Sequence, residues 1–147
     1  MPDSTAIDEA LRQVLARDAA LLALMPDGVW FDAAKPGCKH YVLLTLVSEE
    51  DVATFPGRRE YEDALYRIHA VALDTSADTA AAAANRIDAL LENVALVVAG
   101  YSWMTTHREG RVRATPEDPV DPSVHWQVIG GQYRVQMAPV WGVQDGD

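Results

Sequence analysis

The sequence predicts an α+β domain: a mostly antiparallel sheet of four to five strands, two helices packed on one face, and long hairpin loops. Three observations carry that expectation. Ala64 to Leu73 alternates every second residue and is rich in strand formers, as a half-buried strand should be. Asp74-Thr75-Ser76 then gives way to an alanine-packed helical pattern through Leu91. Tyr41 to Val47, Tyr101 to Arg108 and Val124 to Met137 supply further strand-like runs.

In chain order, Ile7, Leu11, Val14, Leu15, Leu21, Leu22 and Met25 recur near helical spacing. They predict a single amphipathic helix from about Asp3 to Met25, ended by Pro26-Asp27-Gly28. Val29-Trp30-Phe31 is a short apolar piece, and a Pro36-Gly37 turn leads into Tyr41-Val42-Leu43-Leu44-Thr45-Leu46-Val47. That run is apolar almost throughout, which predicts a central strand covered on both faces. After the strand at Ala64 to Leu73, the oxygens of Asp74, Thr75 and Ser76 suit the first free amides of a helix, and Asp78 suits its dipole. Ala80 to Ala84 let that helix lie close to the sheet. Ile87, Leu90 and Leu91 continue its apolar stripe, while Arg86, Asp88 and Glu92 are expected to face outwards.

The last strand carries a parity change. Apolar residues occupy even positions before Gly130-Gly131 (Val124, Trp126, Val128) and odd positions after it (Tyr133, Val135, Met137). Side chains alternate faces, so the change predicts either a β-bulge, the preferred reading, or a two-residue Gly-Gly turn. Two connections are long for so small a domain, Ser48 to Asp63 and Glu109 to Pro122, and loops of that length are usually functional or disordered. Each separates an acidic block from a pair of arginines, a pattern suited to a complementary copy or partner.

With 147 residues, 49% of them apolar, one domain is expected, with an ordered core over about 5–138 and a peripheral C-terminal tail at 139–147. Twenty-two acidic residues against 12 basic ones, a net charge of −10, argue against holding DNA. No run approaches the roughly 18 apolar residues that cross a bilayer, and Met1-Pro2-Asp3 does not begin a secretion signal. The protein is expected in the cytoplasm where it is made, with no membrane partner. The lone Cys38 can form neither an internal disulfide nor a thiolate metal cage.

The search for chemistry finds little. His40, His69, His107 and His125 are scattered. If the last two strands pair about Pro116, His107 faces His125, but two imidazoles are too few for zinc. There is no nucleophile elbow, paired-histidine helix or P-loop. Asp32 near Trp30 and Asp74 at a strand end are the candidate shifted acids. Trp103, Trp126, Tyr133 and Trp141 read as core or interface anchors. The expected class is therefore a non-enzymatic protein with no catalytic residue, cofactor or metal.

Leu21-Leu22-Ala23-Leu24-Met25-Pro26-Asp27-Gly28-Val29-Trp30, Tyr41-Val42-Leu43-Leu44, the join from Ile68 to Leu91, and Trp126-Gln127-Val128-Ile129-Gly130-Gly131-Gln132-Tyr133-Arg134-Val135 complete a pattern. From about Ile7 to Met137 the chain resembles the tail terminator proteins of long-tailed bacteriophages, also called tail completion or head-to-tail joining proteins, in their actinobacteriophage form. The resemblance implies a structural virion protein of the neck region, assembled in the host cytoplasm. It implies a homo-oligomer, a hexameric ring, that caps the tail tube protein, ends tail growth and meets the head-tail connector or head-closure protein, while DNA passes through without specific binding. Interface residues are expected at Glu49, Glu50, Asp51, Arg58 and Arg59 in the first long connection and at Arg111 and Arg113 in the second. The alternatives are another neck or minor tail component, such as a head-closure protein, or a small ligand-binding or enzymatic α+β domain.

Overall fold

The computed structural model describes residues 3–53 and 60–140. In chain order they form α1 (Thr5–Ala16), α2 (Ala19–Leu24), β1 (Val29–Phe31), β2 (His40–Val52), β3 (Tyr61–Asp74), α3 (Asp78–Leu91), β4 (Tyr101–Ala114) and β5 (His125–Pro139). The five strands make one sheet in the order β1-β2-β3-β5-β4, antiparallel except for β1 beside β2. The expected fold class is therefore the observed one, with three helices over one face.

Alternation along β3 divides the sheet. Glu62, Ala64, Tyr66, Ile68, Ala70 and Ala72 are buried under the helices, and the residues between them face the other way. Onto this row pack Ile7, Leu11 and Leu15 of α1, Leu21 of α2, and Ala80, Ala83, Ile87 and Leu91 of α3. Each large side chain buried there stabilises the fold by about 1.5–3 kcal/mol. Small alanines on α3 allow the close approach read from the sequence. Two polar ties fasten α1 to the sheet: the Tyr66 hydroxyl donates to Asp8, and the Ser4 hydroxyl donates to Glu62 at 2.6 Å. Glu62 is only 1% exposed and also accepts from the Tyr101 hydroxyl, so its buried carboxylate is satisfied.

The single helix expected from Asp3 to Met25 is in fact two. Asp18 is extended, and its carboxylate caps α2 by accepting from the Leu21 amide at 2.9 Å. The same carboxylate takes a two-pronged contact from Arg86 of α3, at 2.8 and 2.7 Å. Those hydrogen bonds hold its pKa down at about 2. Arg86 is therefore tied to α2, and Asp88 and Glu92 likewise turn to the sheet: Asp88 accepts from the Tyr133 hydroxyl, and Glu92 from the Arg108 amide. At the other end of α3, Ser76 accepts from the Asp78 amide at 3.1 Å and Asp78 stands in the first turn, as expected, whereas Asp74 accepts from the Thr75 amide.

Strand β2 is not covered on both faces. Tyr41, Leu43 and Thr45 lie half-buried on the face without helices, while Val42 and Leu44 enter the core. The connections expected to be long are largely ladder, because β2 continues to Val52, β3 begins at Tyr61 and β4 runs to Ala114.

Gly130-Gly131 forms neither a bulge nor a turn. The register between β3 and β5 is unbroken from Glu62↔Met137 to Asp74↔His125, and the irregularities lie at Val47 in β2 and at Met104 and Glu109 in β4. Trp126 and Val128 simply face the side without helices, and Val124 precedes the strand. Gly130 has a steric reason instead: a Cβ there would sit 2.2 Å from the Ile68 carbonyl oxygen and 2.4 Å from His69 Cα.

Candidate functional site

The topology sends the two expected interface segments to opposite corners of the sheet. Val52, Tyr61, Tyr101 and Pro139 mark one end of the sheet, and His40, Asp74, Ala114 and His125 the other. Glu49, Glu50 and Asp51 lie on β2 near the first end, on the outer side of the sheet, and all three are exposed. Arg111 and Arg113 lie on β4 near the second end, on the opposite outer side, and are exposed too. Arg58 and Arg59 fall outside the described residues.

Both corners are stretches of open edge. β1 pairs only with Val42 to Leu44, so among the described residues no strand lies on the outer side of β2 from Thr45 to Val52. On β4, the turn after α3 covers part of the edge: the Asn93 amide donates to the Thr106 carbonyl at 2.8 Å, and Glu92 accepts from the Arg108 amide at 2.7 Å. Beyond that cover, among the described residues, no strand lies on the outer side of β4 from Glu109 to Ala114. Each open stretch holds one bulge, at Val47 and at Glu109, and past it Ser48 to Val52 and Gly110 to Ala114 keep a regular register with the inner neighbour. The arginine corner continues into a hollow of about 100 Å³ floored by Ala81, Ala84 and Tyr133. The carboxylates past Ala114 are engaged locally, Asp118 accepting from the Asp121 amide, Asp121 from Ser123, and Glu117 lying 3.9 Å from His125.

The face without helices carries its own charge network. Arg134 donates to Asp63 at 2.6 Å and to both oxygens of Glu109, which holds the Glu109 carboxyl below its usual range. His107 pairs across the ladder with Arg134, not with His125, and His125 stands opposite Asp74. The hairpin centre expected at Pro116 lies instead at Asp121, and the Glu109 bulge brings the register back by only one residue before His107. His69 sits between Leu43 and Gly130, its Nδ1 buried without a hydrogen-bond partner. Burial, aided by Arg67, pushes its pKa down to about 4.

Two open concavities complete the surface. One of about 460 Å³ on the helix-free face is lined by Lys35, Lys39, Tyr41, Leu73, Asp118 and Trp126. It gathers the chain's only two lysines and accounts for the apolar even-numbered Trp126, which sequence parity assigned to the core side. The other, about 450 Å³, runs between α1 and residues 95–99, with Val97 94% exposed at its rim. Cys38 also lines the first, between Lys35 and Lys39, and no histidine lines either. Among the described residues no group of three or more His, Cys, Asp or Glu side chains could hold a metal ion. Asp32 is exposed at a φ of 66°, and Asp74 accepts from the Thr75 amide at 2.7 Å. Tyr133 and Trp103 serve the core, as expected of anchors, while Trp141 lies outside the described residues.

Among the described residues the fold and its surface thus define a one-sided α+β sheet domain with carboxylates on one open edge and arginines on the other. A chain from the virion of a native gene transfer agent particle has this fold: TM-score 0.65, 22% sequence identity, covering 90% of this chain and 96% of that one. No protein-family model matches the sequence, and no curated protein matches it.

Proposed function

We propose that this protein is a structural component of a phage-like virion, a tail terminator that assembles into a hexameric ring, caps the tail tube, ends its growth and joins the head connector. In this reading the chain is one domain with its core over about 5–138 and a peripheral segment at 139–147, and it needs no cofactor and performs no catalysis. The likeness in fold to a virion chain supports the setting. The observation that carries the assembly reading is the segregation of Glu49, Glu50 and Asp51 from Arg111 and Arg113 at diagonally opposed corners. A two-fold dimer joined through either corner would press like charges together. Head-to-tail joining presses opposite charges together, and repeated head-to-tail contacts either close into a ring or run on as a filament.

The net charge of −10 per subunit fits a ring whose bore lets DNA slide without sticking. Sedimentation of the protein with and without purified tail tubes, followed by electron microscopy, tests the reading. A ring at the tube end is expected; density at the head-proximal connector instead would favour a head-closure role, and no association with either would defeat the proposal. Reversing the charges of Arg58 and Arg59 together is expected to weaken ring formation or docking.

A further inference from the structure

The spacing of charges on the two open edges suggests how copies meet. Glu49 and Asp51 stand opposite Ala64 and Glu62 of β3, and therefore point to the helix-covered side of the sheet. Arg111 and Arg113 stand opposite Gly131 and Ile129 of β5, and point to that same side. The members of each pair stand two positions apart. In an antiparallel register, Glu49 falls opposite Arg113 and Asp51 opposite Arg111, both pairs on one face.

The backbone agrees with the side chains. On β2, Val42 turns its amide outwards, donating to Gly28, and it pairs with an even-numbered residue of β3, as Glu49 and Asp51 do. On β4, Thr106 and Arg108 turn their peptide groups outwards to Asn93 and Glu92, and they pair with odd-numbered residues of β5, as Arg111 and Arg113 do. The residues that face each other in this register are thus the ones whose amides and carbonyls point off each edge. The two strands also run in opposite directions along the sheet, as an antiparallel junction between similarly oriented copies needs.

We infer that β2 of one copy adds to β4 of the next as an antiparallel strand, with Glu49 facing Arg113 and Asp51 facing Arg111, so that the sheet continues from subunit to subunit with all helices on one side. This rests on the proposed homo-oligomer and specifies its interface; the occupant of each edge is a second copy of this chain.

Charge exchange and cross-linking test it together. Glu49→Arg with Asp51→Arg, or Arg111→Glu with Arg113→Glu, should each weaken self-association by about 100-fold, because like charges then face one another across the ladder. Combining all four substitutions in one chain should restore it. In a Cys38→Ser background, an equimolar mixture of Glu49→Cys and Arg113→Cys proteins should give a mixed disulfide, since paired Cα atoms about 5.5 Å apart suit one. Neither protein alone should do so, nor should the off-register mixture of Ser48→Cys with Arg111→Cys. Circular dichroism and melting temperature verify that each variant is folded. Assembly of the wild-type protein that ignores the reversals, with no mixed disulfide, would overturn the strand junction while leaving the ring intact. A wild-type protein that stays monomeric at every concentration and on tail tubes, again without the mixed disulfide, would overturn the ring and the junction alike.

Discussion

Gly130→Ala is the sharpest test of the sheet itself. The added methyl would lie 2.2 Å from the Ile68 carbonyl oxygen, 2.4 Å from His69 Cα and 2.5 Å from His69 Cβ. Ordinary carbon contacts begin near 3.5 Å, so the atoms must separate by about 1 Å. Two of the three obstacles belong to the β3 backbone, which is held by ladders on both sides, so no rotamer change relieves the clash. Overpacking that side chains can absorb costs roughly 1–3 kcal/mol, and a backbone clash belongs at or above the top of that range. At about 4 °C per kcal/mol for a domain of this size, Tm should fall by about 10 °C or more. Gly110→Ala, with nothing within 4 Å of its would-be Cβ, should stay within about 0.5 kcal/mol of wild type. Calorimetry on both variants, with denaturant midpoints as a second measure, decides the matter. A Gly130→Ala protein melting within about 2 °C of wild type would refute the close approach of β3 and β5.

Four further outcomes are expected. Asp18→Ala removes both the α2 cap and the Arg86 contact and should cost roughly 2 kcal/mol, whereas Asp18→Asn keeps a capping oxygen and should cost about half as much; equal losses in urea melts would mean that the cap contributes nothing. Because Asp18 is held near pKa 2, against 3.8 when free, its contribution is complete above about pH 4 and is lost as pH falls through 2. His69, held near 4 against 6.5 when free, favours the fold while neutral: stability should decline from pH 6.5 towards pH 4, by on the order of 2 kcal/mol, and His69→Gln should flatten that slope in pH-dependent melts. Tyr133→Phe leaves the ring buried but removes its bond to Asp88, and a loss of about 1 kcal/mol by chemical denaturation is expected.

The strand-to-helix join from Ala64 to Leu91 was readable because its period changes from two to 3.6 at Asp74, where short polar residues interrupt both patterns. The break at Asp18 was hidden because Leu15 and Leu21 both enter the core, so the apolar pattern carries across it; an Asp followed by Ala19-Ala20 was the available signal. Parity failed at Gly130 for a related reason. Trp126 and Val128 cover the helix-free face beside Leu73 and Val71, so apolar residues occur on both sides of β5 and alternation no longer tells in from out. The pairing of His107 with His125 failed because the hairpin turns about Asp121 instead of Pro116, and short-range composition does not encode that centre. Acidic and arginine blocks were visible as residues. Their placement at opposite corners needed the strand order, which long-range pairing sets.

The open stretches of β2 and β4 differ in height as well as in charge. Glu50 lies about six strand steps from the level of Val112, which is the level of Leu43, an offset of about 20 Å. Copies joined across that offset with their strands upright would climb like a spiral stair and never meet their starting point. For the circle to close, the strands must lean across its circumference as slanted staves do, and the angle of that lean would fix the width of the central opening.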